Sequence, residues 1–210
     1  MEQISKQVAE KLLQIKAIKL EPANHFTWAS GWFSPIYCDN RKTLSFPEVR
    51  TFIKDSFVKV IKEKFSDFDV VAGVATGAIA QGVLVAEALD KPFVYVRPKA
   101  KEHGMGNQIE GFLEEGKKVL VIEDLISTGG SSLKAVEALR AANCEVVGMV
   151  AIFTYGFQKA DDSFREANVE LITLSNYDAL ISHATETGYV SEDDVKLLQE
   201  WRVDPGNWKK

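Results

Sequence analysis

Hydrophobic positions recur at helical spacing in the first part of the chain. Residues 4–15 carry apolar side chains three or four positions apart, which predicts an opening amphipathic helix. Residues 49–65 repeat this pattern, and Ser45 followed three positions later by Glu48 has the form of a capping box. The sequence therefore predicts a second helix capped by Ser45, with irregular, aromatic-rich chain between the two helices.

Short apolar runs then alternate with helical segments. Predicted strands cover Asp69–Val74, Phe93–Arg97, Lys118–Ile122, Glu145–Phe153 and Val169–Leu174. Predicted helices cover Ala78–Leu89 and about Ser131–Ala142, and two short helices close the chain, the last capped by Ser191. Apolar strands alternating with helices indicate a parallel sheet covered on both faces. Ligands are expected at the carboxyl ends of such strands.

Length and composition fit one domain better than two. The chain has 210 residues, of which 46% are hydrophobic and 26% charged, close to the average of soluble globular proteins. We interpret residues 1–210 as a single α/β domain. Residues 1–45 are expected to form a small hood, residues from about 46 to 175 the core, and residues 176–210 the closing helices.

Charge balance and cysteine usage narrow the classes of function. Thirty acidic against twenty-five basic residues give a net charge of -5, which disfavours a broad nucleic-acid interface. The sequence shows neither a membrane-spanning run nor a signal-peptide pattern. Cys38 and Cys144 have no partners at zinc-ligand spacing, so we expect both to be reduced. These features predict a cytoplasmic protein that binds neither nucleic acid nor membrane.

The strongest chemical signal follows the third predicted strand. Glu123 and Asp124 precede a hydroxyl- and glycine-rich turn, Ser127–Ser132, that leads into a helix. Backbone N–H groups and the positive end of the helix dipole bind phosphate at such a turn, and Gly129 and Gly130 let the backbone approach the anion closely. Carboxylates accept hydrogen bonds from sugar hydroxyls. The pattern therefore predicts a site for a sugar phosphate.

A second group of charged side chains follows the second predicted strand. Arg97 ends that strand, and Lys99, Lys101 and His103 follow it in a loop that also carries glycines at positions 104 and 106. Glycines give such a loop hinge freedom, so it is suited to close over a pyrophosphate and neutralise the charge of the leaving group. A solvated basic loop is the alternative interpretation.

These motifs resemble those of the type I phosphoribosyltransferases, and the basic loop resembles that of the members that act on orotate. In this family the turn holds the 5-phosphate of phosphoribosyl pyrophosphate (PRPP), and the acidic pair faces the ribose hydroxyls. Phe26–Arg41 is similar to the segment over the orotate ring, and Ala75–Ala78 to the pyrophosphate loop. The resemblance implies the type I phosphoribosyltransferase fold, a central parallel sheet flanked by helices with a small N-terminal hood.

The resemblance also implies roles for individual residues. Lys101, His103 and Asp124 would be catalytic, and Ser127 and Arg41 would contact orotate. The PRPP-binding residues would be Arg97, Lys99, Lys101, His103, Glu123, Asp124, Leu125, Ile126, Ser127, Thr128, Gly129, Gly130 and Ser131.

The implied reaction transfers the phosphoribosyl group from PRPP to orotate. It gives orotidine 5-monophosphate and pyrophosphate, a step of de novo UMP synthesis. Mg²⁺ would be held mainly by PRPP oxygens and water, without dedicated protein ligands. The protein would be a homodimer in which the loop carrying Lys101 and His103 completes the active site of the other subunit.

Two other functions stay open at this point. One is a phosphoribosyltransferase for a purine or for uracil. The Lys-x-His-Gly loop and the aromatic segment argue against this function. The other is a PRPP-sensing regulator that binds nucleic acid. The acidic net charge and the lack of an added basic or helix-turn-helix segment weigh against that function.

Overall fold

The computed structural model describes residues 1–28, 30–99 and 108–209. Its strands in these ranges are β1 (Ile18–Leu20), β2 (Phe26–Thr27), β3 (Phe33–Ser34), β4 (Ile36–Cys38), β5 (Val70–Val74), β6 (Phe93–Val96), β7 (Ile109–Glu110), β8 (Lys118–Ile126), β9 (Glu145–Thr154) and β10 (Leu171–Asn176). Its α-helices are α1 (Glu2–Gln14), α2 (Pro47–Lys64), α3 (Ile79–Ala88), α4 (Gly130–Ala141), α5 (Gln158–Glu166), α6 (Tyr177–Glu186) and α7 (Glu192–Val203), and a 3₁₀ helix covers Asn40–Ser45.

The main sheet of this part of the chain has six strands in the order β10-β9-β8-β5-β6-β7. Its neighbouring strands run parallel except β7, which lies antiparallel to β6 at one edge. The predicted central parallel sheet is therefore confirmed, and the five predicted strands are β5, β6, β8, β9 and β10. The sequence does not predict β7, because two residues are too short to show an alternation.

Strand β8 extends further than its apolar pattern predicts. It runs to Ile126, so Glu123 and Asp124 lie inside the strand rather than after it. The pairing of β8 with β5 ends at Ile122, whereas its pairing with β9 continues to Ile126. Beyond Ile122, β8 therefore keeps a paired neighbour on the β9 side, after the ladder with β5 has ended.

Alternate residues of the central strands pack against helices on opposite faces of the sheet. Val71 and Leu120 belong to the cluster that includes buried residues of α1, α2, α3 and α6. Val70 and Val121 belong to the cluster that includes α4 and Phe164 of α5. Full burial of one such side chain contributes about 1.5–3 kcal/mol. The sheet is thus covered on both faces, as predicted.

The predicted capping box at Ser45 is wrong. Helix α2 begins at Pro47, Phe46 stands at its N-cap without a side-chain cap, and Ser45 ends the 3₁₀ helix. Proline suits the first position of a helix, because its φ is already helical and its missing N–H would have no partner there. Ser191 does cap α7, in a capping box with Asp194.

The other helices largely follow the prediction. The opening helix is α1, which packs against α6 and β10. Helix α5 is not predicted, because only Ala160 and Phe164 of its nine residues are buried and the rest is mostly polar. No helix in the described ranges is both long and apolar enough to cross a membrane. The domain limits near residues 45 and 175 stay predictions.

Candidate active site

A cavity of about 500 Å³ lies at the carboxyl ends of β5 and β8. This is the edge of a parallel sheet where ligands are expected. Three segments of the chain meet there: the end of β4 with the residues that follow it, the turn after β5, and the end of β8 with its turn into α4. The lining residues are Cys38, Asp39, Arg41, Val74, Ala75, Thr76, Gly77, Glu123, Asp124, Leu125, Ser127, Thr128, Gly129 and Ser131.

A larger cavity, of about 750 Å³, lies between α6 and α7. There the guanidinium of Arg202 is already engaged, because it forms an ion pair with Asp178 and donates to the carbonyl of Gly156. The cavity at the ends of β5 and β8 instead joins an acidic pair to a glycine-rich turn at a helix start. Chemistry rather than size therefore places the candidate site at the ends of β5 and β8.

The turn between β8 and α4 has the form of an anion site. Gly129 is the N-cap of α4 and has a φ of 82°, a conformation that glycine adopts without strain. A Cβ at Gly129 would also lie 2.9 Å from Cε2 of Phe164. The hydroxyl-bearing residues Ser127, Thr128 and Ser131 line the cavity beside the free N–H groups of the helix start. This arrangement can hold a phosphate group.

Most of the residues predicted to bind PRPP in this segment line the cavity. They are Glu123, Asp124, Leu125, Ser127, Thr128, Gly129 and Ser131. Ile126 is fully buried in the core, and Gly130 is not among the lining residues. The predicted PRPP contacts of these two residues stay predictions.

The two adjacent acids differ in their surroundings. Glu123 is 4% exposed and accepts hydrogen bonds from the hydroxyl of Ser132 at 2.7 Å and from the N–H of Asp124 at 2.9 Å. Burial, and then the negative charge of Asp124, raise the pKa of Glu123 to about 8. Asp124 is only partly buried; burial raises its pKa, and the positive charge of Arg41 opposes that rise. Asp124 is therefore the better placed of the two to accept hydrogen bonds from a ligand.

The turn after β5 packs closely against this acid. A Cβ at Gly77 would overlap with the carboxylate of Asp124, so a side chain there would force this carboxylate to move. Ala75 and Thr76, which are joined by a cis peptide bond, also line the cavity. Ala75, Thr76 and Gly77 thus line the cavity beside the end of β8, in the segment where the resemblance implies a pyrophosphate loop.

A second cavity, of about 270 Å³, adjoins the first. The two share three lining residues, Cys38, Leu125 and Ser127. The others in the second cavity are Thr27, Trp28, Tyr37 and Tyr155. Three of its seven lining residues are aromatic, and the others add hydroxyl groups and one thiol, so we call it the aromatic cavity.

Tyr155 and Trp28 give this second cavity its shape. Their ring centroids lie 5.1 Å apart, and the indole N–H of Trp28 donates to the carbonyl of Ile36 at 3.1 Å. Tyr155 is 2% exposed and stacks on Phe157, and burial raises the pKa of its hydroxyl well above the usual range. A flat ring with polar edges fits such a cavity.

Sequence reasoning missed Tyr155 as a site residue. The available signal was its position directly after the fourth predicted strand, at the sheet edge where ligands bind. A lone tyrosine there carries no motif, and its closeness to Trp28 and Cys38 arises only in the folded chain.

Arg41 and Ser127, the residues predicted to contact orotate, occupy different places. Ser127 lines both cavities, and its contact with orotate stays a prediction. Arg41 lines only the larger one, and its Nε donates to Asp39 at 2.7 Å. The structure thus places Arg41 on the side of the acidic pair rather than beside the aromatic cavity.

The predicted basic loop is only partly within the described residues. Arg97 follows β6; its N–H donates to the carbonyl of Gln108 at 2.8 Å, and its own carbonyl accepts from the Gln108 side chain at 3.0 Å. Nη1 of Arg97 also lies 3.5 Å from Oε1 of Glu110. Lys99 is exposed. Lys101 and His103 lie outside the described residues. The two ends of the loop are therefore fixed to each other beside β6.

Comparisons with known proteins agree with this geometry. Residues 46–182 match the family of the phosphoribosyl transferase domain. The chain is 62% identical over 209 residues to an orotate phosphoribosyltransferase from Phocaeicola vulgatus, covering 100% of this chain and 99% of that protein.

Two solved structures extend the comparison. The crystal structure of orotate phosphoribosyltransferase from Aeropyrum pernix is 28% identical, with a TM-score of 0.75, and covers 88% of this chain and 99% of that one. A Mycobacterium tuberculosis orotate phosphoribosyltransferase in complex with PRPP is 23% identical, with a TM-score of 0.66 over 84% of this chain and 98% of that one. At this identity the second likeness concerns the fold alone.

Proposed function

This chain belongs to the phosphoribosyl transferase family, and we propose that it transfers the phosphoribosyl group of PRPP to orotate. The products are orotidine 5-monophosphate and pyrophosphate, a step of UMP synthesis. The observation that carries this proposal is the pair of joined cavities at the end of β8. One combines a phosphate-binding turn with an acid, and the other is an aromatic cavity of the size of a single ring.

The turn Ser127–Ser131 holds the 5-phosphate of PRPP in this proposal. Its N–H groups and hydroxyls donate hydrogen bonds, and the start of α4 adds the positive end of a helix dipole. Asp124 accepts hydrogen bonds from the ribose hydroxyls. Both Glu123 carboxylate oxygens already accept hydrogen bonds within the protein, so Glu123 supports this arrangement from the buried side.

Orotate lies in the aromatic cavity that Trp28 and Tyr155 border. Ser127 stands where the two cavities join, so base and ribose lie on either side of its hydroxyl. The residues around the ring exclude water from the reacting atoms. Burial raises the pKa of the Cys38 thiol well above its usual range, so this side chain stays neutral beside the anionic base.

The reaction is a displacement at the anomeric carbon of the ribose. Orotate is already an anionic nucleophile, so the site acts mainly by positioning and by stabilising the departing pyrophosphate. Mg²⁺ fits this site, because the carboxylate of Asp124 borders the cavity and oxygen is the ligand that Mg²⁺ prefers. We propose that PRPP oxygens and water hold most of its coordination. When bound, it supplies positive charge to the leaving group.

The remaining charge is proposed to come from the loop after β6. By resemblance, Arg97, Lys99, Lys101 and His103 contact the pyrophosphate, and His103 donates a proton to it if its pKa lies near neutrality. We further propose a homodimer in which this loop completes the site of the other subunit. A cytoplasmic location likewise stays a prediction.

Turnover with alternative bases tests the proposed function. With PRPP and Mg²⁺, the protein should consume orotate, seen as a loss of its ultraviolet absorbance, and should leave uracil and purines unchanged. Turnover with one of those bases but not with orotate would identify another phosphoribosyltransferase. Binding of PRPP without turnover of any base would favour a regulator.

Shared active sites can be tested with two inactive variants. Lys101→Ala should lower kcat far more than it weakens phosphate binding at the turn, and Asp124→Ala should also be inactive. If the loop acts across the dimer, mixing the two variants restores part of the activity, because each hybrid dimer contains one intact site. No restoration despite subunit exchange, verified by mass spectrometry, would place Lys101 in the site of its own subunit.

A further inference from the structure

Asn40 is buried where the N-terminal segment meets the acidic pair. Its side chain is 2% exposed, and its Nδ2 donates to the backbone carbonyl of Asp124 at 2.6 Å. Asn40 is not among the residues that line either cavity of the candidate site. Its influence on a bound ligand therefore passes through other residues.

The position of Asp124 in the sheet explains why such a bond is needed. The ladder between β8 and β5 ends at the pair Gly73 and Ile122, whereas β8 pairs with β9 as far as Ile126. Asp124 thus lies where β8 extends beyond β5. Backbone N–H and C=O groups that lose a ladder partner need another one, because leaving them buried and unpaired is costly.

Two side chains supply these partners. The N–H of Asp124 donates to Oε1 of Glu123, and its C=O accepts from Asn40. Each of these side chains is held in turn: Glu123 accepts from the hydroxyl of Ser132, and Oδ1 of Asn40 accepts from the thiol of Cys38 at 3.3 Å. The backbone of Asp124 is therefore fixed at both polar groups, which sets the direction of its carboxylate.

The same polar network continues away from the cavities. The hydroxyl of Thr43 donates to the carbonyl of Asn40 at 2.6 Å and accepts from Nε2 of Gln81 at 3.2 Å. Thr43 is fully buried and Gln81 is 2% exposed. Thr43 thus makes a buried hydrogen bond of the same network without contacting Asp124, so it provides a matched control.

We propose that Asn40 is a positioning residue that replaces the missing strand partner of Asp124 and aims its carboxylate at the ribose. This inference rests on the proposed function, which assigns Asp124 to the ribose of PRPP. An amide suits the position because it donates to one neighbour and accepts from another. An apolar residue would leave the carbonyl of Asp124 unpaired.

The test measures the affinity of the full-length protein for inorganic phosphate and for ribose 5-phosphate by calorimetry. Phosphate probes the turn alone, whereas ribose 5-phosphate also engages Asp124. The Kd for phosphate divided by the Kd for ribose 5-phosphate therefore reports the ribose contact. Asn40→Ala should lower this ratio by about tenfold, as expected when a group that orients a ligand-binding side chain is lost. Thr43→Val should lower Tm without changing the ratio.

Asn40→Ser provides a second variant if Asn40→Ala does not fold, because its hydroxyl keeps a polar group at the site but is too short to reach the carbonyl of Asp124. An unchanged ratio in the Asn40 variants, or an equal fall in Thr43→Val, would overturn the positioning role. A wild-type protein that binds ribose 5-phosphate no better than phosphate would overturn the assignment of Asp124 as well.

Discussion

The two cavities of the candidate site are built in different ways. The larger one owes its proposed phosphate and ribose contacts mainly to one continuous segment, residues 123–131, which runs from a strand through a turn into a helix. The smaller one is assembled from β2, β4, the end of β8 and Tyr155 after β9. In the proposed function, local chain geometry therefore determines where the phosphate binds, whereas packing of distant segments determines which base fits.

This difference separates reaction class from substrate choice. A turn that binds phosphate needs only glycines, hydroxyls and a helix start, so it serves any enzyme of the family. The aromatic cavity depends on side chains such as Trp28 and Tyr155, which are held by the N-terminal segment and by the core. Mutations in the two cavities should therefore affect different kinetic constants.

The largest effect is expected at Asp124. Asp124→Asn removes the negative charge that faces the ribose and should lower kcat/KM for PRPP by about 10²–10³-fold, the usual cost of losing one preorganised electrostatic contact. Binding of inorganic phosphate at the turn should be nearly unchanged in calorimetry. Asp193→Asn, at an exposed position of α7, is the matched control. A comparable loss in that control, or unchanged kcat/KM for PRPP in Asp124→Asn, would exclude a ribose contact.

A smaller effect, confined to the base, is expected at Tyr155. Tyr155→Leu should raise the KM for orotate by about 10–100-fold, since an aromatic contact to a base contributes about 1–3 kcal/mol. The KM for PRPP should change little. Tyr155→Phe keeps the ring and isolates the contribution of the hydroxyl. If Tyr155→Leu raised the KM for PRPP more than that for orotate, the two cavities would not be separable in the way described.

The last prediction concerns stability at Glu123 rather than catalysis. Its pKa in the folded protein is raised from about 4.5 to about 8, so the folded state holds the proton more tightly than the unfolded state. The resulting stabilisation is fully present below the ordinary pKa of 4.5 and is lost as the pH rises to the folded-state pKa of about 8. Glu123→Gln cannot titrate, so its Tm relative to wild type should rise over this range, by about 2–4 °C for each kcal/mol. If the Tm difference between Glu123→Gln and the wild-type protein stayed constant over this pH range, a raised pKa of Glu123 would be contradicted.

The sequence predicts the larger cavity well because its signals are local. The order of strands and helices, the acidic pair and the turn at Gly129 can be read from consecutive residues, and the structure brings most of them together. The predicted cap at Ser45 fails because a neighbouring proline defines the helix start. Arg41, which the resemblance assigns to the base, lines the larger cavity together with the acidic pair, and its contact with orotate stays a prediction.

The smaller cavity and the support beneath Asp124 are not visible in the sequence. Tyr155 and Trp28 are 127 positions apart along the chain, and no spacing relates them before the fold does. Asn40 matters because β8 extends beyond β5, a difference in strand length that hydrophobic patterning does not reveal. These features depend on tertiary register, to which local patterns are insensitive.

We expect one ligand to span both cavities, with its ring in the aromatic cavity beside Trp28 and Tyr155 and its phosphate at the turn of Ser127–Ser131. A crystal structure of the protein with orotidine 5-monophosphate tests this most directly. We expect density for the pyrimidine in the aromatic cavity, the ribose hydroxyls at Asp124 and the phosphate at the start of α4. A pyrimidine bound outside the aromatic cavity, or a phosphate bound away from the turn, would contradict it.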